Sequence, residues 1–294
     1  MSNPVMSSRL IESAETMFFC TGLPKSGTTF LQRMLNCHPE ISCPSEHQFN
    51  SLRNGLSTIF GNYNNMLRQV GKRTGDQGVT IVDSECQLAV FRCTVETIIR
   101  GAADGKPIMG ANDNGLLGNL ALYDSLFGSP RILVIFRNPI DAGISAWHHN
   151  LRLAEEEGGG HKDHMMRYGG FEGWLRQSAR WFNEAVDLYR KYAVEHDNII
   201  HVRYEDLAAE TAKHLERIVN FLGADSDPEV ITKIVLQTKF DVMKKESSKT
   251  GFYRAAATGF GAGEVDDELR KELAAISSEA HEFLGYELVS RELL

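Results

Sequence analysis

The sequence has no apolar run near the roughly 20 residues that a membrane span needs, and residues 1–9 lack the charged-then-apolar layout of a secretory signal. Basic residues are also in short supply, since 31 lysines and arginines stand against 39 aspartates and glutamates, giving a formal net charge of -8. These absences predict a cytoplasmic protein without a membrane span and argue against a nucleic-acid partner. Any anion site must therefore be locally basic.

Cysteine is scarce too. The five cysteines are odd in number, lack C-x-x-C spacing and have no paired histidine motif nearby. We therefore expect ordinary thiols rather than a disulfide framework, and we predict no metal site. The length of 294 residues, 42% of them hydrophobic, suits one α/β domain that spans residues 1–294. The sequence gives no indication of the oligomeric state.

Short apolar segments alternate with helical patterns along the chain, which predicts a central parallel sheet flanked by helices. The continuously apolar run at 131–136 is typical of a central strand that is covered on both faces. Segments 39–78 and 155–170 lack a clear period and are expected to be irregular. The predicted strands are 17–20, 107–110, 131–136 and 198–203, and the predicted helices are 28–36, 86–100, 116–127, one from residue 138, 171–192, 207–222 and 266–284.

The segment TGLPKSGTTF at 21–30 resembles a phosphate-binding loop, because a strand precedes it and a helix follows it. Gly22 and Gly27 match the two glycines of G-x-x-x-x-G-K-[ST], but Thr28 stands where that motif has lysine. The single lysine of the segment comes earlier, at Lys25. The pattern predicts a phosphate site built for something other than magnesium ATP.

A second cationic residue follows the predicted central strand. In a P-loop nucleotidase, an aspartate that helps to hold magnesium would end this strand, whereas here Arg137 does. An arginine offers a fork of donors that suits a second phosphate. Ser145 lies about two helical turns farther on and can point its hydroxyl the same way. Together these residues indicate a nucleotide phosphorylated at two separate places.

At this point the sequence resembles the sulfotransferases that use 3′-phosphoadenosine 5′-phosphosulfate (PAPS). Segment 25–29 is similar to their 5′-phosphosulfate loop, and Arg137 with Ser145 is similar to their 3′-phosphate site. Weaker similarities follow at 204–207, 221–223 and 238–244, and Arg254 with Gly259 resembles the start of their glycine-rich lid. The matching elements span residues 17 to about 263 in family order. A P-loop-like α/β fold is what this resemblance implies.

The resemblance also implies roles for individual residues. Lys25 would contact the bridging oxygen of the phosphosulfate, where negative charge develops as the S–O bond breaks. The 5′-phosphate would lie against the loop, the 3′-phosphate against Arg137, and the product would be 3′,5′-bisphosphoadenosine (PAP). The residues expected to bind the cofactor are Lys25, Ser26, Gly27, Thr28, Thr29, Phe30, Arg137, Ser145, Tyr204, Thr238, Phe240 and Arg254.

The candidate general base of this chain differs from the base of the cytosolic members of that family. Those members carry a Lys-Thr-His sequence after the strand equivalent to 107–109, whereas this chain reads GANDN at 110–114. Bacterial and protein-tyrosine branches resemble this chain in having a glutamate shortly after the first helix, here Glu46. A carboxylate can take the proton of an acceptor hydroxyl. Glu46 is therefore the first candidate base and Asp113 the second, ahead of His47, His148 and His149.

The sequence thus predicts a sulfotransferase that moves a sulfuryl group from PAPS to an acceptor hydroxyl, with an amine as the lesser acceptor. The acceptor is expected to be a small molecule, a glycan or a lipid, and no residue pattern selects among them. Residues 254–257 read RAAA where the family's lid has Arg-Lys-Gly, and this difference removes one cationic contact to the 3′-phosphate. A PAP- or PAPS-binding module without catalysis and a P-loop kinase remain as alternatives.

Overall fold

A parallel sheet of five strands lies at the centre of the structure, in the order β2-β3-β1-β4-β5. The computed structural model describes residues 17–44, 46–75, 79–157, 160–239, 241–243 and 263–286. The strands are β1 (Met17–Gly22), β2 (Ile41–Ser42), β3 (Ile108–Asn112), β4 (Arg131–Phe136) and β5 (Ile199–Arg203). The predicted α/β class with a central parallel sheet is confirmed, and the apolar run at 131–136 does form an inner strand.

Helices connect the strands and cover both faces of the sheet. Those in the first half are α1 (Thr28–Cys37), α2 (Phe49–Thr74), α3 (Ser84–Gly101), α4 (Leu120–Phe127), which a 3₁₀ turn at Leu116–Asn119 precedes, and α5 (Pro139–Glu157). The later ones are α6 (Gly160–Met166), α7 (Gly170–Ala193), α8 (Tyr204–Ala209), α9 (Thr211–Leu222), α10 (Pro228–Gln237), α11 (Asp267–Ile276) and α12 (Ser278–Leu284). None of the helices formed by the described residues is long and apolar enough to cross a membrane.

The central strands bury side chains on both faces because successive residues of a strand point in opposite directions. On β4, Val134 and Phe136 join a cluster with α4, α7 and α12, whereas Leu133 and Ile135 join one with α1, α9 and α10. All four of these side chains are at most 1% exposed. A third cluster, centred on Trp174, lies between α5, α6, α7 and α11 and contains Ile140 and Ile144 from the first turns of α5.

The expectation of an irregular segment at 39–78 was wrong, because most of it forms the 26-residue helix α2. The helical period is obscured by Asn64 and Gly71, which are polar or small but lie on the buried face. Apolar side chains at Ile59 and Met66 are instead exposed. Tertiary contacts therefore decide this helix: the Asn64 amide donates to Val82 O at 2.7 Å and accepts from Val82 N at 2.8 Å.

The expected loop at 155–170 is also replaced by helix. Helix α5 continues to Glu157, and α6 begins at Gly160. The glutamates at 155–157 favour a helix, although glycines follow them. Helix α6 is held by Met165, which is fully buried in the third cluster. Two predicted helices are each divided, at Glu210 and at Ser277, the latter having a buried hydroxyl that donates to Leu273 O at 2.8 Å.

Replacing Asn64 with alanine should lower the free energy of unfolding by about 1–3 kcal/mol, because Val82 N loses its acceptor and Val82 O keeps only its donor Gln87 Nε2, at 3.2 Å. Urea unfolding followed by circular dichroism measures this change. Asn62 lies on the same helix and is exposed, so Asn62→Ala is the matched control and should stay within about 0.5 kcal/mol of wild type. Equal effects of the two substitutions would contradict the anchoring role of Asn64.

Candidate active site

The carboxyl ends of β1, β3 and β4 open into one cavity of about 1100 Å³. Parallel pairing places these ends side by side, as the register partners Gly22 and Ile135 illustrate. The cavity is the crevice in which open α/β sheets bind ligands. Its walls include residues 24–25, 27–30, 46–48, 113–115, 144–145 and 148–152, together with Arg137, Asp141, Glu155 and Tyr204.

The loop from Leu23 to Gly27 forms the floor of this cavity. Gly27 precedes α1 with φ 101°, in the left-handed region that glycine tolerates, and no side chain caps the helix. The amides at the N-terminus of α1 are thus available to an anion. The Ser26 hydroxyl is buried and has no hydrogen-bond partner. An uncapped helix and an unpartnered hydroxyl in one loop fit a phosphate.

Arg137 and Tyr204 form the wall next to this loop. The Arg137 guanidinium lies 4.6 Å from the Tyr204 ring centre, and its Nη1 donates to Lys25 O at 3.4 Å. Its Nε is buried without a hydrogen-bond partner, which leaves a donor for a ligand. The Phe30 ring lies 6.2 Å from that of Tyr204. Ser145 lines the same cavity, so the structure brings the loop, Arg137, Ser145, Phe30 and Tyr204 together.

Lys25 has an unusual backbone for a residue with a side chain, with φ 69°. Conformations of this kind concentrate at functional sites, where surrounding structure enforces them. The pKa of the Lys25 ammonium is lowered to about 8, mainly by burial and then by the Arg152 charge, while the Glu46 carboxylate opposes both effects. An anionic ligand beside this desolvated ammonium would favour its charged form.

Glu46 reaches the cavity from the opposite side. The segment that carries it continues alongside β3, since Glu46 pairs with Asn112 in a parallel bridge and His47 N donates to Asn112 O at 2.7 Å. Asn114 Nδ2 donates to Glu46 Oε1 at 2.7 Å and orients the carboxyl. Partial desolvation of the Glu46 carboxyl in the cavity raises its pKa. The Lys25 charge opposes this shift, and the Asp113 charge adds to it. A raised pKa suits a proton acceptor.

Asp113, the second candidate base, is occupied by backbone donors. Its Oδ2 accepts from Phe49 N at 2.9 Å, and its Oδ1 accepts from Gly115 N at 2.8 Å. The side chain is only 1% exposed, and burial raises its pKa while these hydrogen bonds lower it. Asp113 therefore ties the end of β3 to the first residue of α2, next to Glu46.

Thr238, which the sequence predicts to bind the cofactor, does not line this cavity. Thr238 is buried at the end of α10, and its hydroxyl donates to Ile234 O at 2.8 Å rather than into the cavity. Phe240 and Arg254 lie outside the described residues. The lesser candidate bases His47, His148 and His149 do line the cavity, and His148 lies 2.6 Å from Glu264 Oε2.

Two residues of the site had no role in the sequence prediction. Glu205 Oε1 accepts from Asn138 N at 2.9 Å, and its Oε2 accepts from the Tyr286 hydroxyl at 2.8 Å, so it fixes the backbone next to Arg137. Arg152 lines the cavity from α5, seven residues after Ser145. Seven residues are close to two helical turns, which is the signal that could have placed Arg152 on the face of Ser145.

The geometry can be compared with known proteins. The model of the sulfotransferase family matches residues 18–228, which include the loop, Glu46, Arg137 and Tyr204. The chain belongs to the sulfotransferase family. This sulfotransferase is a transferase that uses PAPS as its sulfuryl donor, as the resemblance implied. Among described residues, no group of three or more His, Cys, Asp or Glu is placed to hold a metal ion.

Individual relatives agree with this assignment. The sulfotransferase is 25% identical over 273 residues to sulfotransferase 6B1 of Gorilla gorilla gorilla, covering 87% of this chain and 86% of that protein. Against human sulfotransferase 6B1 the identity is 33% over 160 residues, covering 49% and 48%. The structure of mouse sulfotransferase SULT7A1 complexed with PAP shares the fold, with a TM-score of 0.58, 18% identity and coverage of 96% and 94%.

Affinity for PAP should depend on pH through Lys25. Only the ammonium form attracts the phosphate, and its pKa in the free sulfotransferase is about 8. The dissociation constant should therefore be flat well below pH 8, begin to rise near pH 8 and increase above it by at most about tenfold per pH unit. Calorimetry between pH 7 and 9.5 measures this slope. Lys25→Met should remove it, and an unchanged slope in that variant would assign the titration to another group.

Proposed function

We propose that this sulfotransferase transfers the sulfuryl group to a hydroxyl of a small-molecule, glycan or lipid acceptor, with Lys25 and Glu46 as the reacting side chains. The observation that carries the proposal is that Lys25 and Glu46 line one cavity and perturb each other's pKa. A cation and a carboxylate placed in this way suit a displacement in which one end gains negative charge and the other loses a proton.

The donor fits the residues present. The uncapped amides of α1 and the unpartnered Ser26 hydroxyl would hold the 5′-phosphate, and Arg137, with its unpartnered Nε, would hold the 3′-phosphate with Ser145. Phe30 and Tyr204 would border the adenine. When bound, PAPS supplies an activated sulfuryl group and a bisphosphate leaving group. PAP in the structure of mouse SULT7A1 supports the same ligand here.

Each reacting side chain has a separate task. Glu46 would accept the proton of the acceptor hydroxyl as the oxygen attacks sulfur, and the raised pKa of its carboxyl favours that transfer. Asn114 would keep the Glu46 carboxyl oriented through its 2.7 Å hydrogen bond. Lys25 would stay protonated and stabilise the charge that develops on the leaving oxygen. Asp113 would position the base rather than replace it, because both of its oxygens accept backbone hydrogen bonds.

A kinase is disfavoured by the same residues. Thr28 follows Gly27 where a P-loop kinase has lysine, and Arg137 follows β4 where a carboxylate would help to hold magnesium. A cytoplasmic location stays a prediction from the sequence.

Ligand selectivity tests the donor assignment. Calorimetry should show that PAP binds at least tenfold more tightly than magnesium ATP. Arg137→Met should weaken the binding of PAP while leaving the affinity for adenosine 5′-phosphate nearly unchanged, because only PAP carries the 3′-phosphate. Preferential binding of magnesium ATP would overturn the proposal. Tight PAP binding without transfer of labelled sulfate to any member of a broad acceptor panel would favour a binding module.

Glu46→Gln should lower kcat by about 10²–10⁴-fold, since it removes the proton acceptor and keeps the shape of the side chain. PAP affinity should change by less than about twofold, and turnover of labelled PAPS measures the rate. Glu155 also lines the cavity, so Glu155→Gln is the matched control and should retain nearly wild-type turnover. A nearly wild-type rate in Glu46→Gln would withdraw Glu46 and direct attention to Asp113.

A further inference from the structure

The cavity holds one more cation than the donor needs. Lys25 and Arg137 already face the phosphosulfate and the 3′-phosphate in the proposed function, and Arg152 adds a third positive charge from α5. Among the described residues, four carboxylates line the same cavity, those of Glu46, Asp113, Asp141 and Glu155. The hydrogen-bond partners of the third cation therefore decide whether it is available to a ligand.

The Arg152 guanidinium is incompletely satisfied by the protein. Its Nε and Nη1 are buried and have no hydrogen-bond partner, and its side chain is 21% exposed. Among the described residues, Glu156 forms an ion pair with Arg152, but its Oε1 is 3.8 Å from Nε, which is beyond hydrogen-bonding distance. Buried donors of a charged group are costly to leave unpaired. The fork of a guanidinium matches the two oxygens of an oxyanion.

His149 completes the surroundings of Arg152. Arg152 Nη2 lies 3.0 Å from His149 Nδ1, and because arginine can only donate, this ring nitrogen is the acceptor. The imidazole is therefore neutral. Its pKa is lowered to about 4 by burial, then by Lys25, Arg152 and His161. His149 thus holds one end of the guanidinium without neutralising its charge.

The position of Arg152 relates it to the acceptor rather than to the 3′-phosphate. Seven residues of helix separate it from Ser145, a rise of roughly 10 Å along α5. Ser145 and Arg137 mark the 3′-phosphate end of the cavity in the proposed function. Arg152 instead lies close enough to Lys25 to lower its pKa, so it stands near the transfer point and away from the 3′-phosphate.

We propose that Arg152 binds an oxyanion carried by the acceptor, so that the preferred substrate is a hydroxyl compound bearing a carboxylate or a sulfate group. This inference rests on the proposed function. An acceptor without the anion would leave the buried donors unpaired, and sites of this kind discriminate strongly against such analogues. The anion would bind through the guanidinium fork while the hydroxyl of the same molecule faces Glu46.

Calorimetry on the PAP-saturated sulfotransferase tests the proposal with matched probes. The first pair is 4-hydroxyphenylacetate and 4-hydroxyphenylacetamide, and the second is 4-hydroxybenzenesulfonate and 4-hydroxybenzenesulfonamide. At least one anion should bind tenfold or more tightly than its neutral partner. Arg152→Met should remove this preference, and Arg152→Lys should restore part of it. Arg180 is exposed and outside the cavity, so Arg180→Met is the control and should keep the preference.

Several outcomes would overturn the proposal. Equal binding of anionic and neutral probes would do so, as would no detectable binding of either anion at millimolar concentration. An equal loss of kcat by Arg152→Met with charged and neutral acceptors would assign Arg152 to the sulfuryl group instead. Failure to bind PAP at all would contradict the proposed function itself and is measured before any probe is added. If Arg152→Met does not fold, the wild-type comparison and Arg152→Lys still decide.

Discussion

The parallel pairing of β1 with β4 is the constraint on which the rest of the site depends. Their register places Gly22 beside Ile135, so the phosphate loop and Arg137 leave the sheet at the same edge. The hydrogen bond from Arg137 to Lys25 O then joins these two segments directly. A shift of this pairing by one residue would exchange the buried faces of β4 and separate the two proposed phosphate contacts.

Charge in the cavity is governed by desolvation. Lys25 is deprived of water and lies near Arg152, and the pKa of its ammonium falls for both reasons. Glu46 partly compensates, but its own pKa rises because water is also lost there. The protein thus places opposite charges in one cavity, where each affects the pKa of the other. Such preorganised charge is most effective where water is excluded.

The other wall depends on polar contacts made by backbone groups. Asp113 accepts from Phe49 N and Gly115 N, which links the end of β3 to the start of α2. Glu46 lies in the intervening segment and pairs with Asn112, so the position of the proposed base is fixed by the sheet. Helix α2 in turn depends on Asn64, whose buried amide binds both backbone groups of Val82. The side of the cavity that carries Glu46 is therefore built from long-range hydrogen bonds.

The sequence by itself determined four of the five strands and the family, and it singled out the loop at 21–30 and Arg137, because each follows from local period or from residue spacing within one strand–loop–helix unit. It missed β2, which has only two residues. It did not determine α2, whose buried face includes Asn64 and Gly71, nor α6, which depends on the burial of Met165. Only the tertiary structure put Asn114 on Glu46 and Arg152 beside His149 and near Lys25. These contacts join residues from separate elements, and a local pattern carries no information about which distant side chains will share a desolvated cavity.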